Sequence, residues 1–186
     1  MNDAREKTCM GNLGLTFQHK VCGITTPEEK GMLNIDIVDA TKKLGIARAL
    51  KDYKPPFTII DRYRLIDNGI EPEATIQLQA LGNFIHEAAN GAGPVDALAN
   101  VLKKALTPIF PFLAEVTLID YHASIIDSNL GTATSVRVSI TFTDGTEVWN
   151  VYASSENINL ASFKVLVDGI EYAILRRGEA EEPRTR

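Results

Sequence analysis

The sequence is short of cysteine, of histidine and of any concentrated positive charge. Its two cysteines, Cys9 and Cys22, both lie near the N-terminus. Behind a polar, charged Met1–Met10 segment no secretory signal is expected; two cysteines could form one disulfide, but the expectation is free thiols in a cytoplasmic setting. The three histidines, His19, His86 and His122, include no pair at metal-binding spacing. There is no His-x-His, His-Glu-x-x-His or Cys-x-x-Cys, and no Gly-x-Ser-x-Gly elbow to carry a nucleophilic serine. Gly91-Ala92-Gly93 is not continued into a dinucleotide fingerprint or a P-loop Lys-Ser. The expectation is a chain with no catalytic residue, no metal and no cofactor of its own.

Apolar runs are only a few residues long, against the ~20 that a membrane helix needs. With 24 acidic against 19 basic residues the net charge is −5, and the basic residues are scattered. Arg176, Arg177, Arg184 and Arg186 are interleaved with Glu179, Glu181 and Glu182. Phosphate backbones are held by clustered Lys and Arg, so neither nucleic acid nor a membrane is expected as a partner.

What is present is the mix of a globular protein, 45% hydrophobic and 23% charged. Residues 1–31 have no clean period, although Thr26-Pro27-Glu28-Glu29 has the form of a helix start. Residues 34–50 place Ile37, Ala40, Leu44 and Ala47 on one helical face, interrupted by Gly45 and stopped by Pro55-Pro56. Residues 1–56 therefore read as a lead-in with a helical linker segment, 57–177 as the main domain and 178–186 as a disordered tail.

The main domain repeats one order of elements. Phe57–Ile66 reads as a strand. Glu73–Leu81 alternates, with Ala74, Ile76, Leu78 and Ala80 on one face, and after the Gly82-Asn83 turn Phe84–Ala89 forms a third strand. Gly91-Ala92-Gly93-Pro94 then opens a helix. The order returns with Glu115–Ile126, with the alternation of Val136, Val138, Ile140 and Phe142, and with Glu147–Ala153 after the Asp144-Gly145 turn. Ser155-Glu156-Asn157 opens the second helix. An offset of 65 carries Val95, Leu98, Leu102, Ala105 and Ile109 onto Leu160, Phe163, Val167, Ile170 and Ile174, and Phe84 and Ala88 onto Trp149 and Ala153. The fold class is α+β: two βββα units related by an internal pseudo-two-fold and preceded by a helical linker.

The glycine turn has two readings. Free N–H groups beside the positive end of a helix suit a small carboxylate, with Asp96 available to an ammonium. Equally, Gly93 caps the helix, Pro94 starts it and Asp96 complements its dipole. Ser154-Ser155-Glu156-Asn157 carries the same pair of readings.

A family resemblance bears on that choice. The residues that carry it are Asp120-Tyr121-His122, Ile125-Ile126-Asp127, Gly131-Thr132, Val136-Arg137-Val138, Trp149, Ser155-Glu156-Asn157-Ile158, Ala161-Ser162 and Leu166 to Tyr172. In that order and at those intervals they resemble the regulatory domain of citramalate and 2-isopropylmalate synthases. Gly93-Pro94-Val95 with Ala97-Leu98 resembles the turn of its first unit, and Ala49-Leu50, Tyr53 and Pro55-Pro56-Phe57 the segment that enters it. Ala92 stands where the family has Asn, and His122-Ala123 where it has Lys-Val. The likeness covers roughly residues 38–175.

The resemblance implies a homodimer whose interface binds a branched-chain amino acid, Leu or Ile, as feedback effector of leucine or isoleucine biosynthesis. The implied effector residues are Gly93, Val95 and Asp96; Leu118, Tyr121 and Ile125; Thr132 and Ala133; and Ser155, Glu156 and Asn157. Leu118 and Tyr121 cannot share a flat strand face with Ile125, so a bulge is expected between them. A bulky residue at Gly93 is expected to crowd both turn and ligand. The family's acyl transfer from acetyl-CoA occurs on a TIM barrel, typically about 250 residues. These 186 residues have no room for one, so a synthase catalytic domain is a possible partner and no condensation is expected from this chain alone.

Overall fold

The strictest alternations in the chain become the centres of two sheets. The computed structural model describes residues 36–126 and 134–181. In chain order these form β1 (Ile37–Asp39), α1 (Ala40–Arg48), β2 (Phe57–Ile59), β3 (Arg64–Ile66), β4 (Glu73–Ala80) and β5 (Asn83–Asn90). They continue with α2 (Pro94–Leu106), a 3-10 turn (Pro111–Ala114), β6 (Thr117–Ile125), β7 (Val136–Thr143), β8 (Val148–Ser155) and α3 (Ile158–Glu181). The helix start expected at Thr26–Glu29 lies outside the described residues.

β4 buries Ala74, Ile76, Leu78 and Ala80. It pairs with β5 along one edge and with β2 and β3 at opposite ends of the other. The second sheet runs β1-β8-β7-β6, with Val138, Ile140 and Phe142 of β7 buried at its centre. α2 lies on the first sheet and α3 on the second, so the strand-strand-strand-helix order occurs twice in an α+β fold. The helices also pack on each other. Each therefore buries more than one stripe: Ala97 and Val101 join Leu98, Leu102 and Ala105, and Ala161 and Val165 join Phe163 and Ile170.

Four expectations need correction. Residues 34–50 are not one helix. The Asp39 carboxylate accepts from the Lys42 N–H at 3.0 Å and caps α1 there, so Ile37–Asp39 stay extended and add parallel to the free edge of β8. The strand expected over Phe57–Ile66 breaks after Ile60, whose N–H still donates to Gln77 at 2.9 Å, because Tyr63 leaves the ladder to pack its ring 4.6 Å from Phe163. Phe84 and Trp149 are not equivalent: Phe84 is exposed and Trp149 buried. The two hairpins share one register: an offset of 64, not 65, carries the Leu78–Ile85 pair of β4–β5 onto the Phe142–Trp149 pair of β7–β8, so the counterpart of Trp149 is Ile85 and Phe84 lies on the opposite face. Finally, α3 continues through Gly178 to Glu181.

Trp149 holds the second unit together. Its ring stacks on Phe142 at 5.9 Å, and its indole N–H donates to the Gly169 carbonyl at 3.2 Å. A Cβ at Gly169 would stand 2.4 Å from the Phe142 ring. α1 is fastened to α3 by charge. The Arg48 guanidinium forks onto buried Glu171, at 3.1 and 2.7 Å, and also reaches Asp168 at 2.6 Å, while the Tyr53 hydroxyl donates to Glu171. Hydrogen bonding to Glu171 pushes the Arg48 pKa further up. Burial, with the bond to Glu171, raises the Tyr53 phenol to about 12.

Gly169→Ala should therefore destabilise the chain by about 1–3 kcal/mol in urea unfolding, the scale of an overpacked core. Gly178→Ala, in a helix with open space around it, should stabilise by about 0.5–1 kcal/mol. Tyr53 supplies a pH test. From about pH 10, the ordinary tyrosine value, to about 12, the folded chain retains a proton that the unfolded chain releases. Stability should fall across that window, and Tyr53→Phe should remove that part of the alkaline loss.

Candidate functional site

The first strand of the second unit is irregular, and the irregularity builds a groove. In β6, Leu118 stands opposite Phe142 and Asp120 opposite Thr141, leaving Ile119 as a bulge. Tyr121 then lies opposite Ile140 and Ile125 opposite Val136, so Leu118, Tyr121 and Ile125 share the face that β7 turns toward α3. The expected bulge is present. Without that extra residue Leu118 would point to the other face.

Tyr121 is aimed by α3. Its hydroxyl lies 3.0 Å from the Ser162 Oγ, which itself donates to the Ile158 carbonyl at 2.8 Å. The serine proton is thereby used, which makes Tyr121 the donor. Facing Leu118 and Tyr121 is the start of α2, and together they enclose an open groove of about 350 Å³ lined by Val95, Asp96, Ala99, Leu118 and Tyr121. Four of the eleven expected residues meet there. Ala99 and Leu118 also wall a smaller apolar cavity of about 40 Å³ with Leu113, Val116, Phe142, Leu166 and Ile170.

The α2 turn is locked by its own side chains. The Asp96 Oδ2 accepts from the Ala92 N–H at 2.9 Å and from the Asn100 amide at 3.3 Å. Its Oδ1 has neither contact. Gly93 sits at the N-cap in extended backbone that any residue adopts, and a Cβ there meets nothing within 4 Å. The turn does not require glycine at 93. It requires Gly91, where a Cβ would lie 2.2 Å from the Ala97 nitrogen.

The other expected residues stand elsewhere. Ile125 is exposed at the far end of β6, away from the groove. Ser155 ends β8 and its Oγ accepts from the Asn157 N–H at 3.3 Å; Glu156 is exposed; the Asn157 side-chain Oδ1 accepts from the N–H groups of Asn159 and Leu160 at 2.9 and 3.2 Å. Asn157 borders a separate groove of about 430 Å³ with Arg62, Tyr63, Leu160 and Phe163. Thr132 and Ala133 lie outside the described residues. The sequence reading missed Ala99, Asn100 and Ser162. Asn100, one turn beyond Asp96, was the available signal for the second, and a serine deep in a helical apolar face for the third.

Residues 39–174 match the family described as the LeuA allosteric (dimerisation) domain, and the chain belongs to that family. Its relatives are synthases. It is 38% identical over 148 residues to the (R)-citramalate synthase of Geobacter sulfurreducens, covering 77% of this chain and 28% of that protein. With the (R)-citramalate synthase of Aquifex aeolicus it shares 36% identity over 157 residues, 81% of this chain and 30% of the other. With that of Streptomyces coelicolor it shares 42% over 108 residues, 58% and 20% respectively. The chain thus spans less than a third of the length of these relatives. Among the described residues no helix is long and apolar enough to cross a membrane.

The two glycines of the turn give a direct test of its construction. Gly91→Ala should cost roughly 1–3 kcal/mol in chemical unfolding, because backbone has to move to admit the methyl group. Gly93→Ala should unfold within about 0.5 kcal/mol of wild type, as surface substitutions do. Equal losses in the two variants would contradict this assignment.

Proposed function

We propose that this chain is the regulatory domain of a citramalate or 2-isopropylmalate synthase-type acyltransferase, pairing with a second copy and binding a branched-chain amino acid, leucine or isoleucine, as feedback effector. The groove between α2 and β6 is the observation that carries the reading. It sets Asp96 beside the apolar walls of Val95, Ala99, Leu118 and Tyr121. Such a ligand presents a carboxylate, an ammonium and a branched apolar chain together. The first-turn N–H groups of Val95 and Asp96, which no helical carbonyl can reach, suit the carboxylate. The open Asp96 Oδ1 suits the ammonium, and the apolar walls suit the side chain.

Pairing is supported by the edge of the second sheet. β6 is an edge strand, and Leu118, Ile119, Tyr121, Ile125 and Ile126 are all exposed along it. An apolar, open edge of this kind invites a second chain. Catalysis belongs, in this reading, to a barrel for which these residues have no room; a synthase catalytic domain is the partner that the domain would regulate.

Calorimetric titration with leucine, isoleucine and valine tests the sensor. At least one should bind, and Tyr121→Ala should weaken it by about 1–3 kcal/mol, the value of a buried side chain, while sedimentation still reports a dimer. Undiminished binding in Tyr121→Ala would remove the site assignment. No binding at millimolar concentration would leave a dimeric interaction module without an effector.

A further inference from the structure

The βββα order produces a second groove of the same construction. In the first, the start of the helix of unit one faces the first strand of unit two. In the second, the start of α3 faces Arg62 and Tyr63, in the break between β2 and β3 of unit one. The 64-residue offset that relates the two strand ladders carries Asp96 and Ala99 of the first groove onto Leu160 and Phe163 of the second. A tyrosine stands on the strand side in both, Tyr121 in one and Tyr63 in the other.

The rims differ in sign. Asp96 is the charged group of the first groove and Arg62 that of the second. The acid next to Arg62 in sequence, Asp61, pairs with Arg64 at 4.0 Å. The Asn157 side-chain Oδ1 is committed to the N–H groups of Asn159 and Leu160, which leaves its side-chain N–H₂. The Tyr63 phenol, which burial pushes further up from the ordinary tyrosine range, is a hydrogen-bond donor at neutral pH. The uncommitted polar groups on this rim therefore include a guanidinium, an amide N–H₂ and a hydroxyl, over a floor of Leu160, Phe163 and the Tyr63 ring.

We propose that the groove formed by Arg62, Tyr63, Asn157, Leu160 and Phe163 is a second ligand site, which takes a small monocarboxylate with a short apolar tail and no ammonium. The carboxylate accepts from Arg62 and Asn157, and the tail lies on Leu160 and Phe163. A fork of N–H donors matches a carboxylate in plane and charge. The apolar floor favours a hydrocarbon tail over a bare inorganic anion. This proposal does not depend on the amino-acid reading of the first groove, whose acidic rim favours an ammonium.

The experiment is an NMR titration of the full chain with 4-methylpentanoate and, separately, with 3-methylbutylamine, which keeps a branched tail and reverses the charge. The acid should shift the backbone amides of Tyr63, Leu160 and Phe163 and the Asn157 side-chain amide; the amine should leave them in place. Arg62→Gln, an exposed change, should weaken the acid about tenfold or more, the value of a charge-assisted hydrogen bond. Lys104→Gln, a cation on α2 paired with Glu87 at 3.0 Å, should leave the affinity unchanged. The proposal is overturned if the acid shifts only Val95 and Ala99, if it shifts nothing at tens of millimolar, or if Arg62→Gln binds as wild type does.

Discussion

The contact of α2 with α3 is the constraint on which the rest of the structure depends. A three-stranded sheet with one helix has too little apolar surface to close a core of its own. Laying the helices side by side makes one continuous core from two half-cores, running from Ala74 and Leu78 through Leu102 and Leu166 to Trp149. It also decides where grooves form. Each helix start is carried beside the first strand of the other unit, so both grooves lie between units. The irregularities of those first strands, a bulge at Ile119 and a break after Ile60, then select which side chains face them.

Charge plays a narrower part. The Arg64–Asp61 and Lys104–Glu87 pairs are at the surface, where each contributes little. The most buried acid of the described ion pairs is Glu171, 4% exposed, which is matched by both the Arg48 fork and the Tyr53 hydroxyl. Removing one partner of such a group leaves a buried charge uncompensated, which is costly. The cluster thus ties α1 and the segment after it to α3, at a helix face whose neighbours Ile170 and Ala173 are core residues.

Much of this was legible before the structure because it followed from period. The two-residue alternation of β4 and β7, the order of elements and the need for a bulge beside Leu118 are consequences of strand geometry. What was not legible depends on partners distant in sequence. Ile37–Asp39 has a helix-compatible pattern and becomes a strand because β8 offers it a free edge. Tyr63 leaves its strand for Phe163, 100 positions later in the numbering. Phe84 and Trp149 diverge because the strand ladders repeat at 64 residues, one fewer than the sequence offset, and a one-residue slip puts a strand residue on the other face. In the site, Val95, Asp96, Leu118 and Tyr121 were recognisable from the family's text. Gly91 was less so than Gly93, since nothing in a glycine-rich turn says which glycine faces a neighbouring backbone.

The parallel pairing of β1 with β8 has a mechanical side. A pull on the chain upstream of Ile37, directed along the strand, loads the three register pairs from Ile37–Val148 to Asp39–Asn150 together, in shear, instead of peeling them one by one. The next obstacle is the Asp39 cap on α1, and behind it the Arg48–Glu171 fork. Tension entering by that route is spread across β8, α1 and α3 before it meets the core, and the segment that carries it is seated as an anchor.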